Sequence, residues 1–353
     1  MSNRRDPIAE AADDEVDLYG IATWEPRSLL DRIAVAIYRA IVFGARGVVL
    51  LVGLALFVGI GGFSALTDPR VGLLTALSAV PALGLAGYVY FTDVTDGEPV
   101  ELLVPTFLLA ILTATFAAVV NTVAQSALGF GASSGLVLST IFFFFVVGPV
   151  EETVKLLAVR LYAYRHDHFD TVVDGAVYGA VAGLGFAFIE NALYITRQVD
   201  GQALRFGLEL IGAGGGIAAI RALAGPGHVI YSAVAGYYLG LAKFNPEYRG
   251  PLVIKGLILA AAIHGLYNST VGIGSGALQS ITGLGTLSSF LGFVVIFDGL
   301  FALLLLNKIR RYNGAFRSAS SGIAAGEDAL DEQIDDSWRE DAHDEPIDER
   351  YFW

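Results

Sequence analysis

The sequence contains no cysteine, which excludes a disulfide scaffold, a thiolate metal site and a cysteine nucleophile together. Charge is scarce as well. Of the 353 residues 16% are charged and 54% hydrophobic, and the mean hydropathy is +0.60. Soluble domains carry about 25% charged and about 45–50% apolar residues, so too little charge remains to cover a water-facing surface. A soluble enzyme is excluded, and the chain reads as a membrane protein. HExxH is also missing, which removes the commonest zinc-protease helix. Met1–Arg32 has no early apolar run, so no cleavable signal peptide is expected.

The charge that is present is unevenly placed. The net charge of -13 lies almost wholly in the ends: twelve acids against Arg339 and Arg350 from Glu327 onward, and six against Arg4 and Arg5 in residues 1–20. Ends of this composition bury little apolar surface and are expected to be disordered, giving an acidic flexible segment over 1–30 and an acidic tail over 311–353. Acidic ends and arginine in place of lysine (18 against 4) suit a high-salt cytosol.

A membrane core takes about 20 apolar residues to cross as a helix. Eight segments qualify, near 47–66, 71–92, 101–125, 136–158, 171–196, 226–243, 251–271 and 286–307. Lipid offers no water to satisfy an open backbone, so each must be helical. The expected fold is therefore an all-α polytopic transmembrane bundle, with its main domain over 47–310. Gly-Ala-Gly-Gly-Gly at 212–216 is expected to break the helical pattern before the sixth span. Arg32, Arg39 and Arg46, spaced by seven, lie opposite Ile33, Ile37 and Ile41, which predicts an amphipathic interfacial helix over 31–46. A simple charged lead into the first span accounts for the same pattern. Twelve Lys/Arg near span ends fall on one side and Arg70, Arg197, Arg205 and Arg221 on the other. By the positive-inside rule the protein is multi-pass in the cell membrane with both termini cytoplasmic.

Ionisable groups within spans cost roughly 2.5–3.5 kcal/mol on insertion scales and mark function by default. Four clusters occur: Glu151-Glu152 with Lys155; Phe186 with Glu190-Asn191; Arg221 followed by His228; and His264 with Asn268. On a helix Lys155 is i+4 from Glu151 and i+3 from Glu152, so one carboxylate can meet the ammonium while the other points into the bundle. Gly148-Pro149 is expected to start a fresh helical turn with the acids in it. His264 and Asn268 share a face, as do Phe186 and Glu190. Each pair alone has a structural explanation: a register-fixing salt bridge, an interhelical clasp, a packing pair or an interfacial histidine. Four inward polar pairs on successive spans together describe a buried polar chamber. Asp298 reads as structural, pairing with a cation across the bundle. Phe142–Phe145 are given lipid or core contacts and no chemistry. The elbow-like Gly131-Ala-Ser133-Ser-Gly135 joins two membrane helices rather than a strand and a helix, and carries little weight.

Carboxylate, histidine and amide suffice for peptide hydrolysis without a covalent intermediate. A buried carboxylate can take a proton from water and return it to a leaving amine, while histidine and amide donors stabilise the oxyanion. Counting 1.5 Å per residue from the span ends places His228 near the outer face, Glu190 toward it, and Glu151 and His264 near the middle. That predicts a spread of about 10–15 Å.

The ordered motifs Glu151-Glu152-x-x-Lys155, Phe186-x-x-x-Glu190-Asn191, Arg221…Gly225-Pro-Gly-His228…Gly236 and His264-x-x-x-Asn268 resemble those of the PrsW family of intramembrane proteases. That family is related to the CAAX-processing (Abi) membrane endopeptidases, with motifs EExxxR, FxxxH and HxxxN. The resemblance spans about residues 100–310 and implies cleavage of membrane-associated proteins. It makes Glu151 the water-activating base and Glu152 its support, has His264 and Asn268 hold the oxyanion, and lets His228 assist. Lys155 comes one residue earlier than the Arg of EExxxR, and Glu190 stands where FxxxH has histidine. Glu190 then serves either as a second carboxylate or, with Glu151, His228 and His264, as a ligand of zinc. Metal-free chemistry with no cofactor is favoured, because no metal-ligand spacing is present.

Two other classes compete: an ion- or proton-coupled transporter, and a non-catalytic membrane scaffold. Transporters often repeat broken helices in both halves, whereas the polar motifs here crowd into spans four to seven. The expected partners are a membrane-anchored protein substrate and the lipid bilayer, with no nucleic acid and no oligomeric state assigned.

Overall fold

The computed structural model describes residues 17–19, 23–94, 97–130, 135–199 and 208–341, with backbone alone at 42, 208–215 and 320–341. The acidic residues 1–16 and 342–353, most of the elbow-like stretch (131–134), and Arg205 lie outside the described residues. The chain divides into two compact units, Met1–Leu305 and Leu306–Trp353.

Helix α1 runs Leu29–Gly59, started by a reciprocal cap in which the Ser28 hydroxyl accepts from the Asp31 N–H and the Asp31 side chain accepts from the Ser28 N–H. Gly61, at φ 82°, turns the chain into the short α2, Gly62–Thr67. Asp68 caps α3, Pro69–Tyr90, with Pro69 in its first turn where the missing N–H costs nothing. Then come α4 (Val100–Ala127) and α5 (Leu136–Phe142). A π-helical stretch, Phe143–Val147, joins α5 to α6 (Gly148–Leu161). Next are α7 (Val172–Val199), α8 (Leu208–Phe244), α9 (Arg249–Thr282) and α10 (Thr286–Asp341). Among the described residues eight helical segments are long and apolar enough to cross a membrane, and no strand occurs beyond one isolated bridge, Tyr19–Thr23. The all-α polytopic bundle read from the sequence is the fold observed.

Three local features bear on the boundaries read from the sequence. Residues 31–46 and the first span form one continuous helix that ends at Gly59, because nothing at Gly47 interrupts the backbone ladder and the first left-handed glycine is Gly61. Gly212–Gly216 do not break α8; an interrupted backbone in lipid would strand its polar groups, so glycine is tolerated inside membrane helices. The backbone of α10 continues as helix through 311–341. Between Arg311 and Asp341 there is no proline, and alanine, glutamate, leucine and arginine favour helix once it is nucleated.

Helix α7 lies at the centre of the first unit. It packs most extensively on α8 and also meets α3, α4 and α6. Glycines 175, 179 and 183 recur every fourth residue on the face toward α8. A Cβ at Gly179 would overlap the Ser232 carbonyl, and one at Gly183 the His228 carbonyl. Small residues let two membrane helices approach backbone to backbone, and this approach carries His228 and Ser232 into the middle of the bundle.

Candidate active site

The site begins where α6 begins. Pro149 lies in the first turn of α6, with Glu151 beside it, as the Gly-Pro step predicts. The π-helical stretch just before it underwinds and widens the helix locally, a feature often found at functional sites. The phenylalanines given no chemistry supply part of that stretch, and Phe142 and Phe143 line the cavity. Gly148 allows α6 to press on α9: a Cβ there would stand 2.6 Å from the Ala261 carbonyl oxygen. This contact brings Glu151 and Glu152 against His264, one helical turn further along α9.

The two adjacent glutamates have different surroundings. Glu152 is fully buried and saturated: its Oε1 accepts from Lys155 Nζ at 2.7 Å and lies 2.9 Å from His264 Nδ1, and its Oε2 accepts from Ser232 Oγ at 3.3 Å. Lys155 thus pairs at i+3, not with Glu151 at i+4. Glu151 turns to the cavity. Its Oε1 accepts from Asn121 Nδ2 at 3.1 Å, and its buried Oε2 has no hydrogen-bond partner among the described residues.

Partners assign the histidine tautomers. A carboxylate only accepts, so His264 Nδ1 carries the hydrogen toward Glu152, and its Nε2 lone pair faces Glu151 Oε2 at 3.7 Å. The Lys155 ammonium donates to His228 Nδ1 at 2.9 Å, leaving His228 Nε2 to donate to Glu190 Oε2 at 2.9 Å. Arg221 donates to the same oxygen at 2.5 Å and, through Nε, to Asn191 Oδ1 at 2.8 Å. Asn191 Nδ2 donates to Ser78 Oγ at 2.9 Å. One polar network therefore runs from α3 through α8 and α7 to α6 and α9. Phe186 covers Lys155 Nζ, 4.3 Å from its ring centre.

The network surrounds a cavity of about 430 Å³ lined by Glu151, Phe186, Glu190, Arg221, His228, His264 and Asn268, among others. Glu152, Lys155 and Asn191 stand behind it. The expected spread in depth is absent: the His228 and His264 ring centres are 5.2 Å apart. Helix α8 starts at Leu208 rather than 226, so His228 falls near its middle. Asp298 meets no cation within 4 Å among the described residues; the Tyr231 hydroxyl donates to it at 3.1 Å. Sequence reasoning passed over Asn121, Ser232, Tyr231 and Tyr267. A lone asparagine and tyrosines at helical spacing inside spans were their available signal.

The arrangement also fits a metal ion. Glu152 pairs with Lys155 and Glu190 with Arg221, whereas among the described residues no lysine or arginine lies within 4 Å of the Glu151 carboxylate. Ligand atoms of Glu151, His228 and His264 all lie within 4.8 Å of one another, and two imidazoles with one carboxylate are a zinc-type donor set; His228, whose two ring nitrogens are engaged by Lys155 and Glu190, would ligate only by giving up one of those hydrogen bonds. Glu190, expected as a fourth ligand, is engaged by Arg221 and His228 instead.

Residues 98–300 match the family model described as PrsW family intramembrane metalloprotease. The chain is 30% identical over 201 residues to "Protease PrsW" of Oceanobacillus iheyensis, covering 56% of this chain and 82% of that protein. It is 31% identical over 190 residues to the Bacillus subtilis protein of the same name, covering 53% and 78%. Against that of Halalkalibacterium halodurans the identity is 33% over 197 residues, covering 56% and 82%. No solved structure matches the chain.

Proposed function

This chain belongs to the PrsW family of intramembrane proteases, and on that footing we propose that Glu151 activates the water that hydrolyses a peptide bond of a membrane-anchored protein. Membership makes the chain a multi-pass membrane peptidase and leaves the transporter and scaffold readings without support. The observation that carries the assignment is the contrast between neighbours: every oxygen of Glu152 is hydrogen-bonded, whereas Glu151 Oε2 is without a hydrogen bond among the described residues, buried and aimed at His264 Nε2.

Glu151 Oε2 takes one proton from a water in the cavity. The water oxygen bonds to the carbonyl carbon, the C–N bond breaks, and Glu151 returns the proton to the departing amine. Glu152 holds His264 in the tautomer that presents Nε2 to the reacting groups, as outer carboxylates do for catalytic and ligating histidines. Asn268, on the cavity wall, supplies an amide donor to the oxyanion, while His264, with its lone pair on Nε2, accepts from the attacking water rather than donating to the oxyanion. Arg221 fixes Glu190, which accepts a hydrogen bond from His228 Nε2 and so orients the ring. Glu151, His228 and His264 would hold a zinc ion, whose chemistry when bound is Lewis acidity toward the carbonyl and toward water. Both termini face the cytoplasm in this scheme, following the arginine and lysine asymmetry.

The test co-expresses the protein with a library of membrane-anchored reporters and compares wild type with Glu151→Gln and His264→Ala. Glu151→Gln is expected to lower cleavage about 10²–10⁴-fold, the usual worth of a general base. Identical product patterns in all three overturn the assignment. A chelator then separates the schemes: loss of cleavage together with release of bound zinc supports the metal-holding triad, and full retention supports the carboxylates alone.

A further inference from the structure

Asn121 belongs to no motif read from the sequence, yet among the described residues its side chain is the one hydrogen-bond donor to Glu151. It projects from α4 into the cavity wall. Which end of the amide meets Glu151 follows from chemistry. An ionised carboxylate only accepts, so the amide presents Nδ2, 3.1 Å from Oε1. Oδ1 must then point the other way, and it is buried with no donor to satisfy it among the described residues. A bare carboxylate rotates about its last bond and exchanges its two oxygens. With Oε1 held by Asn121, Oε2 is the oxygen kept toward His264 Nε2.

We propose that Asn121 is a positioning residue for the hydrolysis: Nδ2 locks the Glu151 carboxylate in its reactive orientation, and Oδ1 accepts a backbone N–H of the bound peptide beside the scissile bond. The proposal rests on reading Glu151 as the group that activates water. A single amide between base and substrate ties the two together, so that the peptide is registered against the carboxylate that serves it. Misplacing a reacting group by about 1 Å costs on the order of 100-fold in rate, so a modest freedom of this carboxylate has a measurable effect.

The experiment measures a cleaved membrane-anchored reporter with full-length protein in micelles, comparing wild type, Glu151→Gln, Asn121→Leu and Asn121→Gln. Leucine keeps the volume and removes both polar ends. It is expected to lower kcat about 10- to 100-fold and to raise KM several-fold, with the thermal midpoint unchanged. Glutamine keeps the amide and has the cavity to extend into, so it recovers most of kcat. The Glu151 carboxylate stretch, isolated as the infrared difference between wild type and Glu151→Gln, shifts in Asn121→Leu. Unchanged kcat and an unshifted band in Asn121→Leu overturn the positioning role, as does glutamine failing as completely as leucine. An unchanged KM overturns the role of Oδ1. If Glu151→Gln itself cleaves like wild type, the reading of Glu151 falls first, which is a distinct outcome.

Discussion

Helices α1 and α7 are both long enough to cross a membrane, yet 12% of the most apolar stretch of α1 is buried inside the protein, against 89% in α7. The more apolar helix is the one left outside. In water the reverse would hold. In a bilayer lipid tails solvate valine, leucine and phenylalanine as well as a protein core does, so Phe43, Val48, Leu51, Leu54 and Val58 stay exposed on α1 without cost. What drives α7 inward is smallness and polarity: glycines that admit close backbones, and Glu190 and Asn191, which need partners.

A glycine exchange on each helix tests that contrast most harshly. Gly179→Leu drives a side chain into the Ser232 carbonyl. Overpacking usually costs about 1–3 kcal/mol, and with backbone as the obstacle the variant is expected at or beyond the top of that range. The expected result is little monodisperse protein on size-exclusion chromatography in detergent. Recovery of wild-type yield would show that α7 and α8 are not held apart by fixed backbones. Lys155→Met comes next. It leaves Glu152 buried without its ammonium, and breaking a buried pair costs about 3–5 kcal/mol, read as a large drop in thermal midpoint. A fall of a degree or less would mean that the network is dispensable to the interior.

A smaller effect concerns how α7 is tied to the turn before α4. Glu98 is buried there and accepts from the Tyr178 hydroxyl. Burial, opposed by that hydrogen bond, pushes its pKa up to about 8. The folded state therefore binds the proton more tightly than the unfolded chain. This contribution to stability is fully present below the unfolded value of 4.5 and is lost as pH rises through about 8. The thermal midpoint should decline between those values, with a flatter profile in Glu98→Gln; identical profiles would refute the link. The smallest effect belongs to α1. Gly47→Leu meets nothing within 4 Å, and stability is expected to change by no more than about 0.5 kcal/mol.

The spans and the members of the polar chamber were readable because lipid makes each charged or amide residue in an apolar run conspicuous. Glu151, Glu190, His228, His264 and Asn268 stood out in this way, and all line one cavity. Depth was not readable. His228 was placed too far outward because Gly212–Gly216 looked like a break, whereas in lipid an unbroken helix is the cheaper solution for those residues. Nor could spacing choose Lys155's partner, since i+3 and i+4 are both neighbours on a helix; the choice followed once Gly148 brought α9 close and His264 claimed Glu152. Asn121 offers only the signal of a lone amide within a span, and no spacing points to its role, because its partner lies 30 residues away on another helix.

Composition alone settled that this chain is dissolved in lipid, is built of helices and keeps a few costly polar groups there, because solvation depends on residue type and needs no knowledge of neighbours. The division of labour between Glu151 and Glu152, the tautomers of His228 and His264 and the place of Asn121 depended on which side chains came within about 3 Å of each other. Hydrogen bonds are short and directional, so those assignments exist only after the glycine faces of α7 and α8 have closed.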